Sequence, residues 1–208
     1  MKIALPDEKS PVMIQIFIRK ICISHYCHFP NKPLICAMIY FTEYISPVGL
    51  LTLTATSAAL TGLYIQGQKY HPDTTSFRHV PPTTHPILTA AASWLDQYFS
   101  GSAPTPTTLP LSPAGTPFRR QVWRHLCNIP YGATTTYGAL AKLIAAENDI
   151  PGMSPQAIGS AVGHNPISII IPCHRVIGAD GSLTGYAAGT DIKRRLLALE
   201  GNDMSRFL

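Results

Sequence analysis

Apolar and polar side chains alternate loosely from residue 38 to residue 65. Met38-Ile-Tyr-Phe-Thr-Glu-Tyr is followed by a Ser46-Pro47-Val48-Gly49 turn and by Leu50-Leu-Thr-Leu-Thr-Ala-Thr. Leu60-Thr-Gly-Leu-Tyr-Ile comes next, so the period-2 pattern predicts a short antiparallel meander. Residues 68–83 are polar and proline-rich and read as a loop. The period then lengthens. Ile87, Ala91, Trp94, Leu95 and Tyr98 recur at helical spacing, with Gly101 as the stop and Trp94 as a core residue. Residues 102–116, rich in Pro, Thr and Ser, read as a linker.

After Pro117 the pattern is mainly helical. Phe118, Val122, Leu126 and Ile129 share one face and leave Arg119, Arg120 and Arg124 outside. Pro130-Tyr-Gly is a turn, and Thr136 is placed to cap a helix beginning at Tyr137. The loop 147–153 ends that helix. Ser154 and Pro155 then open another, Gln156-Ala-Ile-Gly-Ser-Ala-Val-Gly-His. Two short helices with a connector suggest a helix-turn-helix, although paired helices also arise from packing alone. The second helix carries only Gln156 and His164 as base-reading candidates. That bareness suits a backbone or a shallow groove better than sequence readout in the major groove. The whole pattern is α+β: a small N-terminal sheet with a helix over 38–101, then a mainly helical part over 117–208.

Asn165-Pro166 makes a sharp turn before Ile167-Ser-Ile-Ile-Ile, which reads as a buried strand running into Pro172-Cys173-His174-Arg175-Val176. An unperturbed cysteine has a pKa of ~8.5 and reacts slowly; a neighbouring base or cation makes the thiolate. His174 and Arg175 are candidates for both, and a plain buried cysteine is the alternative. The small-residue loop Gly181-Ser-Leu-Thr-Gly-Tyr-Ala-Ala-Gly189 can shape a pocket wall. It leads to Thr190 as a cap, and to a helix ended by Glu200-Gly201. A carboxylate at a helix C-terminus opposes the dipole and calls for a compensating partner, such as a histidine.

Composition adds bounds. The 208 residues are 46% hydrophobic and 13% charged, as in a globular protein. The formal charge of +5 is concentrated toward the two ends, so an anionic partner belongs in the C-terminal part. Five cysteines, an odd number without framework spacing, indicate a reducing compartment. No run reaches the ~18 apolar residues of a membrane span, and no signal peptide is evident, so the expected location is cytoplasmic. Residues 1–37 fit poorly with the rest. Cys22, His25, Cys27, His28 and Cys36 match no zinc spacing, and the segment reads as an extension, with Met38 as the working start.

The run Asn165-Pro-Ile-Ser-Ile-Ile-Ile-Pro-Cys-His-Arg-Val-Ile closely resembles the O6-alkylguanine-DNA alkyltransferases, with Gly185-Tyr186, Lys193, Leu196-Leu197 and Glu200-Gly201 at the expected offsets. The resemblance is strong over 117–201 and weaker over 38–101, where Ser46-Pro-Val-Gly-Leu-Leu-Thr-Leu and Leu95-Asp-Gln-Tyr-Phe-Ser-Gly carry it. It implies a ribonuclease H-like N-terminal domain and a monomer that repairs double-stranded DNA from the minor groove. It also implies a flipped alkylated guanine, because the target atom is unreachable inside the stack. Cys173 would be the nucleophile, His174 its base through water, Glu200 the orienting carboxylate and Asn165 the holder of the turn. Tyr137, Gln156, Ala157, Gly159, Arg175, Val176, Ala187 and Lys193 would serve the substrate and the DNA. No metal or other cofactor is implied: positions that hold zinc in some members are Ala37 and Thr56 here.

Gln156 stands where the family usually has an arginine that fills the gap left by the flipped base. Ala188-Gly189 replaces a commoner glycine pair, and the loop 147–153 is long. Noncatalytic relatives replace the cysteine, which this chain keeps. Beside the alkyltransferase stand two alternatives: a sensor of alkylated DNA that leaves the lesion in place, and a Cys–His hydrolase. The hydrolase is disfavoured because adjacent side chains on a strand diverge and no oxyanion motif is evident.

Overall fold

In the computed structural model, which describes residues 38–208, the alternating segment forms three antiparallel strands: β1 (Tyr40–Ser46), β2 (Gly49–Ala55) and β3 (Leu60–Ile65). Ser46 pairs with Gly49 across a two-residue turn. Gly49 has φ +117°, a conformation that L side chains rarely adopt, and this explains a glycine at the start of a strand. The outline predicted for 38–65 matches. The sheet itself is mixed, because Arg78 and His79 form a two-residue β4 paired parallel with β1, in the order β3-β2-β1-β4. A strand of two residues is too short to leave a period in the sequence.

One face of this sheet is covered by α1 (Pro86–Phe99). Leu88, Ala91, Trp94, Leu95 and Tyr98 are buried on the helix, whereas Ile87 packs only at the cluster's edge. Leu51, Leu53 and Ala55 of β2 join the same core. Trp94 lies inside, its ring stacked on Tyr98 at 5.5 Å and its Nε1–H donated to the Thr105 carbonyl. The proline-rich stretch after α1 is strapped to β3: Leu60 N–H donates to Pro110 O, and Ser112 N–H to Leu60 O.

The second half comprises α2 (Pro117–Leu126), α3 (Tyr137–Glu147), α4 (Pro155–Gly163) and α5 (Thr190–Leu199). Thr116, Thr136 and Ser154 cap the first three, each accepting a backbone N–H with its side-chain oxygen. Trp123 on α2 is buried and donates Nε1–H to the Ala161 carbonyl, which fixes α4 against α2. The fourth cap differs from expectation. Thr190 is the first helical residue, the N-cap is Gly189 at φ +90°, and no side chain caps the end.

The segment 167–171, expected as a buried strand, is buried but turns instead. Ile167 makes a single parallel bridge with Leu63. The chain then folds back, with Ile169 in a left-handed conformation (φ +67°) and Ile171 N–H donated to Ile167 O. Burial and β-branching were legible, but the side chain of Asn165 takes the backbone groups that a neighbouring strand would have used. Past Cys173–Arg175, a 3-10 turn, Val176–Ile177 (β6) pairs parallel with Thr135–Thr136 (β5). Among the described residues, no helix is long and apolar enough to cross a membrane. The expectations for 1–37, including the Cys22 to Cys36 cluster, lie outside the described residues.

Candidate active site

Cys173 sits at the start of the 3-10 turn, 3% exposed. Asn165 spans the turn before it, its Nδ2 donating to the carbonyls of Ile167 (3.2 Å) and Ile171 (2.8 Å) and lying 3.0 Å from Cys173 Sγ. Its Oδ1 accepts Ile167 N–H at 3.0 Å. One amide thus closes the turn and aims a donor at the sulfur. Burial pushes the Cys173 thiol up to about 11, against the pull of the Asn165 bond, the Lys193 charge and the local backbone N–H groups. The other cysteine among the described residues, Cys127, has no such donor and is likewise raised by burial.

His174 is fully buried beside it. Nε2 lies 2.7 Å from Glu200 Oε1. An ionised carboxylate only accepts, so Nε2 carries the proton and Nδ1 holds the lone pair. Nδ1 is buried without a partner among the described residues. Burial lowers the His174 pKa, helped by Arg175 and Lys193 and opposed by Glu200, so the ring rests neutral.

Glu200 is the hub. Oε1 accepts from His174, from Tyr98 Oη (2.9 Å) and from Arg175 Nη2 (2.8 Å); Oε2 accepts from Arg175 Nε (2.9 Å) and Gly132 N–H (3.1 Å). Burial acts to raise its pKa, but the bonds and charges of His174 and Arg175 outweigh it and bring the carboxyl down to about 2. These donors supply the compensation that a C-terminal carboxylate requires. Arg175, expected among the groups facing substrate and DNA, is instead buried. Its guanidinium forks onto Glu200, and Nη1 donates to the Ile129 carbonyl. A guanidinium spent on a buried carboxylate cannot also reach a phosphate, and its position next to Cys173 in sequence hid that direction. Tyr98 was legible only as a core position; its hydroxyl reaches the site from the N-terminal half because α1 ends against Glu200.

The other expected residues form the rim. Lys193, fully buried on α5, donates Nζ to the carbonyls of Val176 and Thr184. Burial brings its ammonium down to about 8, opposed by the Cys173 charge. Tyr137 donates its hydroxyl to Thr184 O at 2.8 Å. Burial, and secondarily Cys173, push that phenol up to about 12. At Gly185 (φ +83°) an added Cβ would stand 2.5 Å from the Tyr137 hydroxyl, so this loop tolerates only glycine there. Ala187 is half-buried, with its carbonyl accepting Lys69 N–H at 3.0 Å. On α4, Gln156 and Ser160 are exposed and Ala157 and Gly159 half-buried, with Gly159 against the Tyr137 ring. Gln156 Oε1 accepts the Ser154 hydroxyl at 2.6 Å. The structure therefore gathers Cys173, His174, Glu200, Asn165, Lys193, Val176 and Tyr137 around one centre. Gln156 stands apart on the exposed face.

Two family models match this chain: the 6-O-methylguanine DNA methyltransferase ribonuclease-like domain over residues 39–113, and the DNA binding domain of the same name over residues 117–202. A methylated-DNA–protein-cysteine methyltransferase of Mycolicibacterium paratuberculosis is 45% identical over 163 residues, covering 78% of this chain and 93% of the relative. The Haemophilus influenzae protein of that name is 37% identical, covering 78% and 86%. Among solved structures, Mycobacterium tuberculosis OGT in complex with DNA aligns with a TM-score of 0.68 at 41% identity, over 81% of this chain and 94% of that one.

Proposed function

The chain belongs to the methylated-DNA–protein-cysteine methyltransferase family and repairs DNA by transferring an alkyl group to a protein cysteine; we propose that Cys173 is the acceptor and O6-alkylated guanine the substrate. The observation that carries this reading is the Asn165 Nδ2 donor 3.0 Å from Cys173 Sγ, beside a neutral histidine whose buried Nδ1 has no partner among the described residues.

A thiol with a pKa of about 11 is ionised in about one molecule in 10⁴ at pH 7. Proton removal therefore accompanies the reaction. His174 Nδ1 takes the thiol proton through a bridging water, Glu200 holds the ring by Nε2, and Asn165 and Lys193 stabilise the thiolate. The Cys173 sulfur then bonds to the alkyl carbon as the carbon–O6 bond breaks, leaving the electron pair on guanine. Tyr137, a phenol that stays protonated at neutral pH, supplies the proton that lets guanine leave neutral, and the proton taken up by His174 returns through water to the phenolate. A second lone pair on the Val176 carbonyl, beyond the one used by Lys193, and the backbone at Ala187 read the base edges. The thioether product is stable, so each molecule acts once.

DNA lies along α4. Its exposed ridge of Gln156 and Ser160, with Ala157 and Gly159 recessed, offers close approach without side chains for major-groove readout, which favours the minor groove. The reading assigns scaffold to 38–101, connection to 102–116, and DNA binding with catalysis to 117–208. It needs one copy of the chain, no cofactor, and a site of action wherever the DNA lies, in nucleoid or nucleus.

Duplex DNA labelled on the methyl of O6-methylguanine tests the assignment. Label is expected on the protein, with one methyl mass on the peptide containing Cys173. Label remaining on DNA would indicate a sensor, and label released to solvent a hydrolase; either result rejects the proposal.

A further inference from the structure

The loop after β3 grips the site from both sides. Gln68 is 6% exposed, and its Oε1 accepts Ile65 N–H (2.8 Å) and the Ser168 hydroxyl (3.1 Å). Ser168 lies in the turn beneath Cys173, directly before the left-handed Ile169. A β-branched residue in that conformation persists only where its surroundings hold it. Asn165 holds the turn from within. From outside, Leu63 N–H donates to Pro166 O, Ser168 N–H to Leu63 O, and the Ser168 side chain to Gln68.

The opposite wall is tied to the same segment. Lys69 N–H donates to Ala187 O at 3.0 Å. The neighbouring Tyr186 is buried, its ring 6.4 Å from that of His174. Gln68 and Lys69, neighbours in one loop, thus tie the turn below Cys173 and the wall that carries Tyr186 to the N-terminal sheet.

We propose that Gln68 is a positioning residue that, through Ser168 and the adjoining Lys69–Ala187 bond, fixes the width of the pocket beside Cys173 and so sets which alkyl groups are transferred. The proposal rests on Cys173 being the acceptor. A methyl group fills little space and depends on the protein for its line of attack. A benzyl group packs against the walls itself and depends less on how firmly they are tied. Releasing the Gln68 tie slows methyl transfer more than benzyl transfer.

The experiment measures single-turnover rates on duplex oligonucleotides carrying O6-methylguanine or O6-benzylguanine, with peptide mass mapping of the adduct. Gln68→Ala is expected to lower the methyl-to-benzyl rate ratio at least fivefold. Gln68→Glu, which keeps an oxygen to accept from Ile65 N–H and the Ser168 hydroxyl, should restore the ratio to within twofold of the parent. Ser168→Ala removes one atom and should reproduce the shift even if Gln68→Ala fails to fold. The double variant should shift no further than either single one, because both act through one contact. Equal slowing of both substrates, an unchanged ratio or additive shifts would overturn the proposal while leaving Cys173 as acceptor. Alkyl mass on another residue would overturn the acceptor assignment, and the proposal with it.

Discussion

The Tyr98 hydroxyl donates to Glu200 Oε1 at 2.9 Å, joining the last turn of α1 to a carboxylate 102 residues further along the chain. Both groups are buried, and the same oxygen accepts from His174. The N-terminal half therefore helps to hold the group that orients His174. The electrostatics agree: burial, then the Glu200 charge and bond, raise the Tyr98 pKa far above its ordinary value, so this phenol acts only as a donor.

Tyr98→Phe deletes that donor and leaves Glu200 with Arg175, His174 and Gly132. Losing one donor to a buried charged group costs roughly 1.5–3 kcal/mol. For a domain of this size that lowers the melting temperature by about 3–12 °C, at about 2–4 °C per kcal/mol. Methyl transfer should slow several-fold, because His174 keeps its place through two remaining anchors of Glu200. An unchanged melting curve would show that the hydroxyl contributes nothing to the network.

Cys173→Ser is expected to abolish methyl transfer and to leave DNA affinity nearly unchanged. An alcohol is a far weaker nucleophile than a thiolate of similar shape, and Cys173 is too buried to touch DNA before a base enters. Substantial label on the serine variant would refute Cys173 as acceptor, and a large loss of affinity would contradict the separation of binding from chemistry.

Much of this was readable from the chain, and the failures have local causes. Alternation at 38–65 and helical spacing at 87–98 report burial directly, and Thr136 and Ser154 stand at the helix starts, whereas Thr190 does not cap its helix. The strand predicted at 167–171 failed because period and β-branching cannot reveal that Asn165 would satisfy the backbone from inside. Arg175 was misjudged because adjacency to Cys173 says nothing about side-chain direction; its guanidinium points to Glu200. Tyr98 and Gln68 were missed as site residues for one reason. Each lies about 100 residues from its partner, and no pattern along the chain encodes such a pairing.

Acid should weaken the fold through Glu200. Its carboxyl titrates at about 2 in the folded chain against an ordinary 4.5, so the unfolded chain binds a proton first as pH falls. The contribution is present in full above pH 4.5 and is lost progressively as pH falls from there through about 2, on the order of 3 kcal/mol in total. Urea midpoints measured between pH 6 and 2 should fall in that window. Glu200→Gln should be less stable at neutral pH, since it strands a buried Arg175, and should show a shallower acid slope. An equal slope in both proteins would mean that other carboxyls dominate.

The last prediction concerns Gln156, exposed at the first turn of α4. A residue that takes the place of a flipped base must fill the vacated stack and bond the orphaned partner base. Arginine does both well, since its flat guanidinium stacks and brings five donors and a charge near the phosphates. Glutamine is shorter and neutral, and here Oε1 is already occupied by the Ser154 hydroxyl at 2.6 Å. That contact must break before Gln156 can enter the duplex, which adds to its disadvantage. From the general difference between a charge-assisted and a neutral bond, the flipped state is held less well by ~1 kcal/mol. Gln156→Arg keeps the backbone N–H that Ser154 Oγ caps, so α4 should remain formed, and Cys173 is untouched. Duplex repair should therefore speed several-fold, while reaction with free O6-benzylguanine barely changes. If both substrates respond equally, or if duplex repair slows, Gln156 does not enter the stack, and the placement of DNA along α4 would have to be redrawn.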